Sequence, residues 1–327
     1  MDVALSAEQT LLVDVASDFA ERFTPADLRD LPTALDERSP SPLVEAGWID
    51  MRVGDRIDAP TATCLDVALV AEQCGRALAT TPFAGPLIAA ELMRLAGIAA
   101  PDDVAPVIAL SSTLRGIASE QLDAVAFDSA GARTAVFIEP DGAVHYAEVG
   151  EGRRHTVDIT RRCASLRPGS GRATPGVLTA DAIEQLLAFG LVLVSADALG
   201  VAEAALYAAV EHAKTREQFG RPIGSFQAIA HLLADAYVSV EAVRSVVWHG
   251  AWAVDALSPS EALASARLAK AYSATATLQV AEAAVQVFGG TGMTWEAPVS
   301  ARLRRILLDR AVLGDEQTQL LMTSARC

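Results

Sequence analysis

The sequence predicts a mainly α-helical protein in which a small β domain separates N-terminal helices from a C-terminal four-helix bundle. Three observations lead there. Helical spacing of apolar residues up to about residue 103 gives way to short β-type runs between 104 and 178, and returns over 179–327. Alanine and leucine dominate while aromatic residues make up only 5%, which favours close helix packing over a β-sandwich. Hydrophobic residues are 51% of a 327-residue chain, enough for a sizeable core.

Ser6 and Gln9 form a capping box for a first helix carrying Leu12, Val15, Phe19 and Phe23 at helical spacing. A proline-rich turn (Pro25, Pro32, Pro40, Pro42) leads to a short helix ending near Gly47, and Cys64 to Leu78 and Pro86 to Ala96 read as two more. β-type runs follow at Pro106 to Leu110, Ala124 to Phe127, Thr134 to Ile138 and Val144 to Tyr146, and this region is expected to end near Pro175. Four long helical segments close the chain, at about 181–215, 225–256, 260–288 and 298–325, with Tyr237, Val240, Val243 and Val247 marking the apolar face of the second.

Net charge is −15, which argues against a nucleic-acid partner. An anionic ligand would have to rely on local arginines, since the global field repels it. Cys64, Cys74, Cys163 and Cys327 form no CxxC pair and no cluster with histidine, so neither a metal site nor a disulfide framework is expected, and a cytoplasmic location fits. Met1 to Thr10 lacks a basic region followed by an apolar core, so no signal peptide is expected. The most apolar run, Leu186 to Ala196, is about half the length of a membrane span and is followed by Asp197.

The chemistry-bearing segments are Arg216-Glu217-Gln218-Phe219-Gly220-Arg221-Pro222-Ile223-Gly224-Ser225-Phe226-Gln227 and Gln286-Val287-Phe288-Gly289-Gly290-Thr291-Gly292. The first joins two helices through glycines and a proline; the second clusters glycines at a helix end, where a planar or phosphate-bearing group can approach the backbone. An arginine and two glutamines beside these turns can donate to a pyrophosphate and a polar ring edge. Read singly, each segment is an ordinary helix end. In this order, on helices, the pair resembles the flavin-binding signature of the acyl-CoA dehydrogenase family, most strongly from Leu199 to Leu308.

The resemblance implies a flavin (FAD) held between β domain and bundle of one subunit and completed by a neighbour. It implies that Arg216, Gln218 and Phe219, with Gln286, Gly289 and Gly290, are the contacts lent to that neighbour. The family's chemistry takes the α-proton of an acyl-CoA with a carboxylate while the β-hydrogen leaves as hydride to the flavin. One family position for the glutamate lies in a Tyr-Glu-Gly-Thr loop. Here Leu308 to Thr318 lacks that tetrapeptide, and Glu316 is the only nearby candidate, with a solvated carboxylate beside Asp315 as the competing reading. The other position, on the helix before Arg216, is Gly190, followed by Leu191 where the family commonly has arginine. Glu184 reads as an acidic residue near a helix start.

The flavin contacts a subunit makes for itself are not found between Val104 and Pro175, where Glu139-Pro140 is the nearest echo. Arg153-Arg154-His155 with Arg161-Arg162 could meet CoA phosphates but is expected to be a solvated strand edge, and Arg302, Arg304, Arg305 and Arg310 to serve ion pairs of the Asp309 or Glu316 kind or subunit contacts. This combination, with Thr294-Trp295-Glu296, is similar to the short non-catalytic subunit of heteromeric, steroid-catabolism-type acyl-CoA dehydrogenases. That implies shared FAD, a homologous catalytic partner in an α2β2 assembly, an acyl-CoA substrate, an acceptor of the electron-transfer flavoprotein type, and no membrane span. A self-sufficient enzyme using Glu316, or a flavin-free scaffold on the same fold, stays open.

Overall fold

A computed structural model describes residues 4–24, 28, 42–54, 60–100, 105–154, 156–294 and 297–324. Helix α1 (Ala7–Glu21) starts on the expected box: Gln9 N donates to Ser6 Oγ and Ser6 N to Gln9 Oε1, each at 3.1 Å. A short α2 (Pro42–Glu45) is followed by α3 (Cys64–Arg76) and α4 (Ala84–Ala96). Pro25, Pro32 and Pro40 of the proposed turn lie outside the described residues. Helix α4 has no cap from its own N-cap residue. Its first amides donate instead to Asp128 Oδ2 of the β domain, from Phe83 N at 2.8 Å and Ala84 N at 3.0 Å. A tertiary contact thus satisfies donors that the local sequence leaves orphaned.

Six strands follow: β1 (Val107–Leu110), β2 (Val125–Ala126), β3 (Thr134–Ile138), β4 (Ala143–Arg154), β5 (Cys163–Leu166) and β6 (Arg172–Val177). Their order is β3-β1-β2-β5-β4-β6, and an additional β3–β4 pairing closes the first five into a barrel. Only β1–β3 is parallel. Val107 and Ala109 face the barrel interior with Phe137, while Ile108 and Leu110 join the main core with Phe127 and Val136. Burial on both faces explains the unbroken apolar runs of these strands. β5 and β6 escaped sequence reading because Cys163–Leu166 is short and Arg172–Val177 is mostly exposed, so neither shows a clean period of two.

The bundle comprises α5 (Ala180–Thr215), α6 (Gln227–Ala256), α7 (Pro259–Phe288), α8 (Val299–Ala311) and α9 (Glu316–Ser324). The expected last helix, 298–325, is therefore two helices. Leu313 (φ +59°) and Gly314 (φ +97°) adopt left-handed geometry, and Leu313 N donates to Leu114 O at 2.8 Å, which turns the chain. α5 is central. It is long and apolar enough to cross a bilayer, but its most apolar stretch is buried in the protein. It meets α3 backbone to backbone: a Cβ on Gly200 would lie 1.8 Å from Glu72 O, and one on Gly75 2.2 Å from Asp197 O. No other residue fits at this crossing.

Candidate functional site

Helix α5 ends as Arg216 turns to extended geometry (φ −74°, ψ 123°). A two-strand hairpin follows, β7 (Glu217–Gln218) against β8 (Arg221–Pro222). Both tip residues are left-handed, Phe219 at φ +53° and Gly220 at φ +75°, the geometry that suits a two-residue hairpin. Phe219 is 92% exposed. An aromatic ring held in a conformation non-glycine residues resist, and pointed at water, needs a reason beyond this chain's own packing. Arg216 and Gln218 are also exposed, and Arg216 has no carboxylate partner among the described residues. Arg221 lies over the Phe226 ring at 4.1 Å and steadies the base of the hairpin.

The second segment closes α7. Gly289 (φ +62°) and Gly290 are exposed, and a Cβ on either would meet nothing within 4 Å. Gln286 stands exposed one turn earlier. Phe288 stacks on His212 of α5 at 4.3 Å, and Ala209, Ala213, Ala284 and Val287 pack beneath. The fold thereby gathers Arg216, Gln218, Phe219, Gln286, Gly289 and Gly290 at one end of the bundle, open to solvent. Burial, with Arg216 nearby, holds the His212 imidazole below its ordinary pKa. Trp295 and Glu296 lie outside the described residues.

Inside the bundle, Gly190 of α5 is closely packed. A Cβ on Gly190 would lie 2.7 Å from Leu313 Cδ1 and 3.6 Å from Ile88 Cδ1. Leu191 is buried beside it. Glu316 sits in the first turn of α9, gripped by Arg310 through Nη2 and through Nε at 2.8 Å. That hydrogen-bonded guanidinium holds the Glu316 carboxyl below its usual range.

Arg161 and Arg162, expected at a solvated edge, are instead buried; Arg161 reaches Asp197 at 3.0 Å and Asp309 at 2.8 Å. Arg305 completes the cluster with paired bonds to Asp197, both 2.9 Å, and one to Thr160 Oγ1 at 2.8 Å. Burial alone would raise the Asp197 carboxyl, but Arg161 and Arg305 outweigh it and hold Asp197 low. Burial and the Asp197 charge push Asp309 well up. Lys270 Nζ, fully buried, donates to the carbonyls of Asp309 and Arg310. The expected ion pairing of the last helix's arginines is seen in Arg305 and in Arg310 with Glu316, but sequence reasoning missed Asp197 and Arg161 as partners; the visible signal was Asp197, a charge directly after the most apolar run. Glu139-Pro140 is merely a hairpin turn between β3 and β4, with Glu139 N donating to Ala143 O at 2.9 Å. The side chains of Arg153 and Arg154, and all of His155, lie outside the described residues.

A family model described as acyl-CoA dehydrogenase, C-terminal domain, matches residues 180–327. The chain is 32% identical over 261 residues to the acyl-CoA dehydrogenase IpdE2 of Mycolicibacterium smegmatis, a match spanning 78% of this chain and 76% of the relative. It belongs to the acyl-CoA dehydrogenase family. Its fold is that of the Tcur3481-Tcur3483 steroid acyl-CoA dehydrogenase variant (TM-score 0.81, 22% identity, 97% of each chain covered). It is also that of a chain in the ChsE4-ChsE5 complex from Mycobacterium tuberculosis (TM-score 0.79, 21% identity, 100% and 98% covered).

The family's cofactor, FAD, can be tested against the residues of this acyl-CoA dehydrogenase homologue. The exposed end fits: an unpaired arginine, amide side chains, an exposed ring and two open glycines suit a pyrophosphate and a planar system. One family position for the base, Gly190, carries no acid. Leu313 and Ile88 lie against Gly190, and the candidate of the other position, Glu316, is bound to Arg310.

Proposed function

We propose that this chain is the accessory subunit of a heteromeric, FAD-dependent acyl-CoA dehydrogenase, completing the flavin site of a homologous catalytic chain. One observation carries it. The segments that face outward are open and chemically equipped, while Gly190 is packed by Leu313 and Ile88 where a base and substrate would need room. In a homo-oligomer every chain supplies both halves of each site. In a hetero-oligomer one chain can keep only the half it lends.

Arg216 would hold the pyrophosphate, Gln218 and Gln286 would add polar contacts, Phe219 would pack on the adenosine or ring edge, and Gly289 and Gly290 would admit the cofactor to the backbone. When bound, FAD supplies hydride acceptance in the α,β-dehydrogenation of an acyl-CoA. The proton-accepting carboxylate would come from the partner, since Glu316 is committed to Arg310. The names of the steroid acyl-CoA dehydrogenase and two-chain structures sharing this fold favour a bulky, steroid-derived acyl group and an α2β2 assembly. A structure of the assembly with a narrow, straight-chain tunnel would refute that substrate class.

The deciding experiment is visible flavin absorbance per chain, for this protein alone and co-expressed with its family neighbour in the genome. Flavin only in the pair, at fewer than one per chain, is expected. A full complement in the lone chain would refute the reading and make Glu316 the leading base.

A further inference from the structure

A cavity lined by none of the flavin-contact residues named above opens against helix α8. Helix α8 carries four arginines, and three have evident partners: Arg305 has Asp197, Arg310 has Glu316, and exposed Arg304 donates to Val157 O at 3.5 Å. Arg302 differs. Its Nη1 donates to the carbonyl of Arg76 at 2.9 Å, its buried Nε has no partner, and no carboxylate pairs with it among the described residues. Burial, reinforced by Arg305 and Arg76, presses its guanidinium down to about 10. Buried charges are normally paired, because an uncompensated one loses its hydration with nothing in return.

Arg302 lines a cavity of about 520 Å³ formed by α1, α3, α5 and α8, with Thr24, Gln73, Arg76 and Tyr207 on its walls and exposed Glu21 also lining it. Arg76 spans the cavity and the solvent. Its guanidinium lies 5.8 Å from the Tyr207 ring centroid and 3.4 Å from Glu203, whose carboxylate Arg244 already holds at 2.8 Å. Arg244 also pairs with Glu72 and with Glu241 at 3.6 Å, so Arg76 shares Glu203, and Arg302 is the cation of this wall with no carboxylate partner among the described residues. The Tyr207 ring is half-exposed and offers a flat face.

We propose that this cavity binds a phosphorylated ligand of nucleotide size, its phosphate oxygens on Arg302 and Arg76 and its planar ring against Tyr207. Arginine suits a phosphate through paired N–H donors, and Gln73 and Thr24 supply neutral hydrogen bonds to a sugar. The cavity is too large for inorganic phosphate alone, whereas a ring on Tyr207 uses the remaining volume. Glu21 would accept from a sugar hydroxyl or an exocyclic amine. The site is independent of the flavin contacts proposed above.

The experiment uses the full chain, alone and with any copurifying partner, and follows thermal unfolding and calorimetric titration with AMP, adenosine and inorganic phosphate. AMP is expected to stabilise saturably, inorganic phosphate more weakly, and adenosine hardly at all. Arg302→Met should weaken AMP binding by about tenfold or more, while the ligand-free protein melts no lower than wild type because an uncompensated buried charge has gone. Should that variant misfold, Tyr207→Leu at the half-exposed wall is expected to weaken AMP but not phosphate. Arg216→Ala should leave the AMP response unchanged, separating this site from the flavin end. Equal responses to AMP and phosphate would overturn the ring contact and the nucleotide class. No response to either, or an undiminished AMP response in Arg302→Met, would overturn the site.

Discussion

Arg216→Ala separates folding from cofactor binding. Arg216 is exposed, sits just past the last residue of α5, and has no carboxylate partner among the described residues. Its removal should change stability by no more than about 0.5 kcal/mol. Against a flavin pyrophosphate it would lose a charge-assisted hydrogen bond, about 1.5–3 kcal/mol. At about 1.4 kcal/mol per decade, the cofactor Kd of the assembled complex should rise by roughly 10- to 150-fold. A second readout comes from His212, which burial and the Arg216 charge hold below its ordinary pKa. Without Arg216 the imidazole should titrate at higher pH, while burial still keeps it below the ordinary value. Flavin absorbance after gel filtration, a thermal melt and an NMR titration of His212 measure the three effects. Full flavin retention with an intact melt would refute the role given to Arg216. An unmoved His212 would refute the local geometry itself.

Glu316→Gln should leave turnover of the assembled complex unchanged, since the carboxylate serves Arg310; abolished turnover would restore Glu316 as the base. Gly190→Ala should cost about 1–3 kcal/mol by overpacking, because its Cβ would stand 2.7 Å from Leu313 Cδ1. Adding Leu313→Ala should relieve the clash, so that urea melts show favourable coupling in the double-mutant cycle; strict additivity would mean the two residues do not share the space. Lys270 is lowered by burial from its ordinary 10.5 to about 8. Between those values the unfolded chain binds more protons than the native one, so stability should rise with pH across the window and fall again towards pH 8. Lys270→Met should flatten that rise, and an unchanged slope would show that another group produces it.

The helical ends of the molecule were legible from sequence because their signals are local. The Ser6/Gln9 box, the spacing of apolar residues in the long helices, and Gly289 at the end of α7 act over one or two turns. β5 was not legible because four residues are too few to show a period, and β6 because edge exposure removes the alternation that marks a strand. The break between α8 and α9 was hidden for a different reason. Leu313, a residue that ordinarily favours helix, is held left-handed by a hydrogen bond to Leu114 from the β domain.

The same division holds for the site. In the sequence, two segments at helix ends and their resemblance to the family's signature pointed to Arg216, Gln218, Phe219, Gln286, Gly289 and Gly290, and Gly190 visibly carries no acid. That these residues share one exposed end follows from the packing of α5 on α7, sealed by His212 on Phe288. That Leu313 and Ile88 fill the space beside Gly190, and that Arg161 and Arg305 bury themselves on Asp197 and Asp309, depends on side chains far apart in the chain. Local patterns fix where a helix ends; only close packing decides which distant side chain occupies the room a missing one leaves.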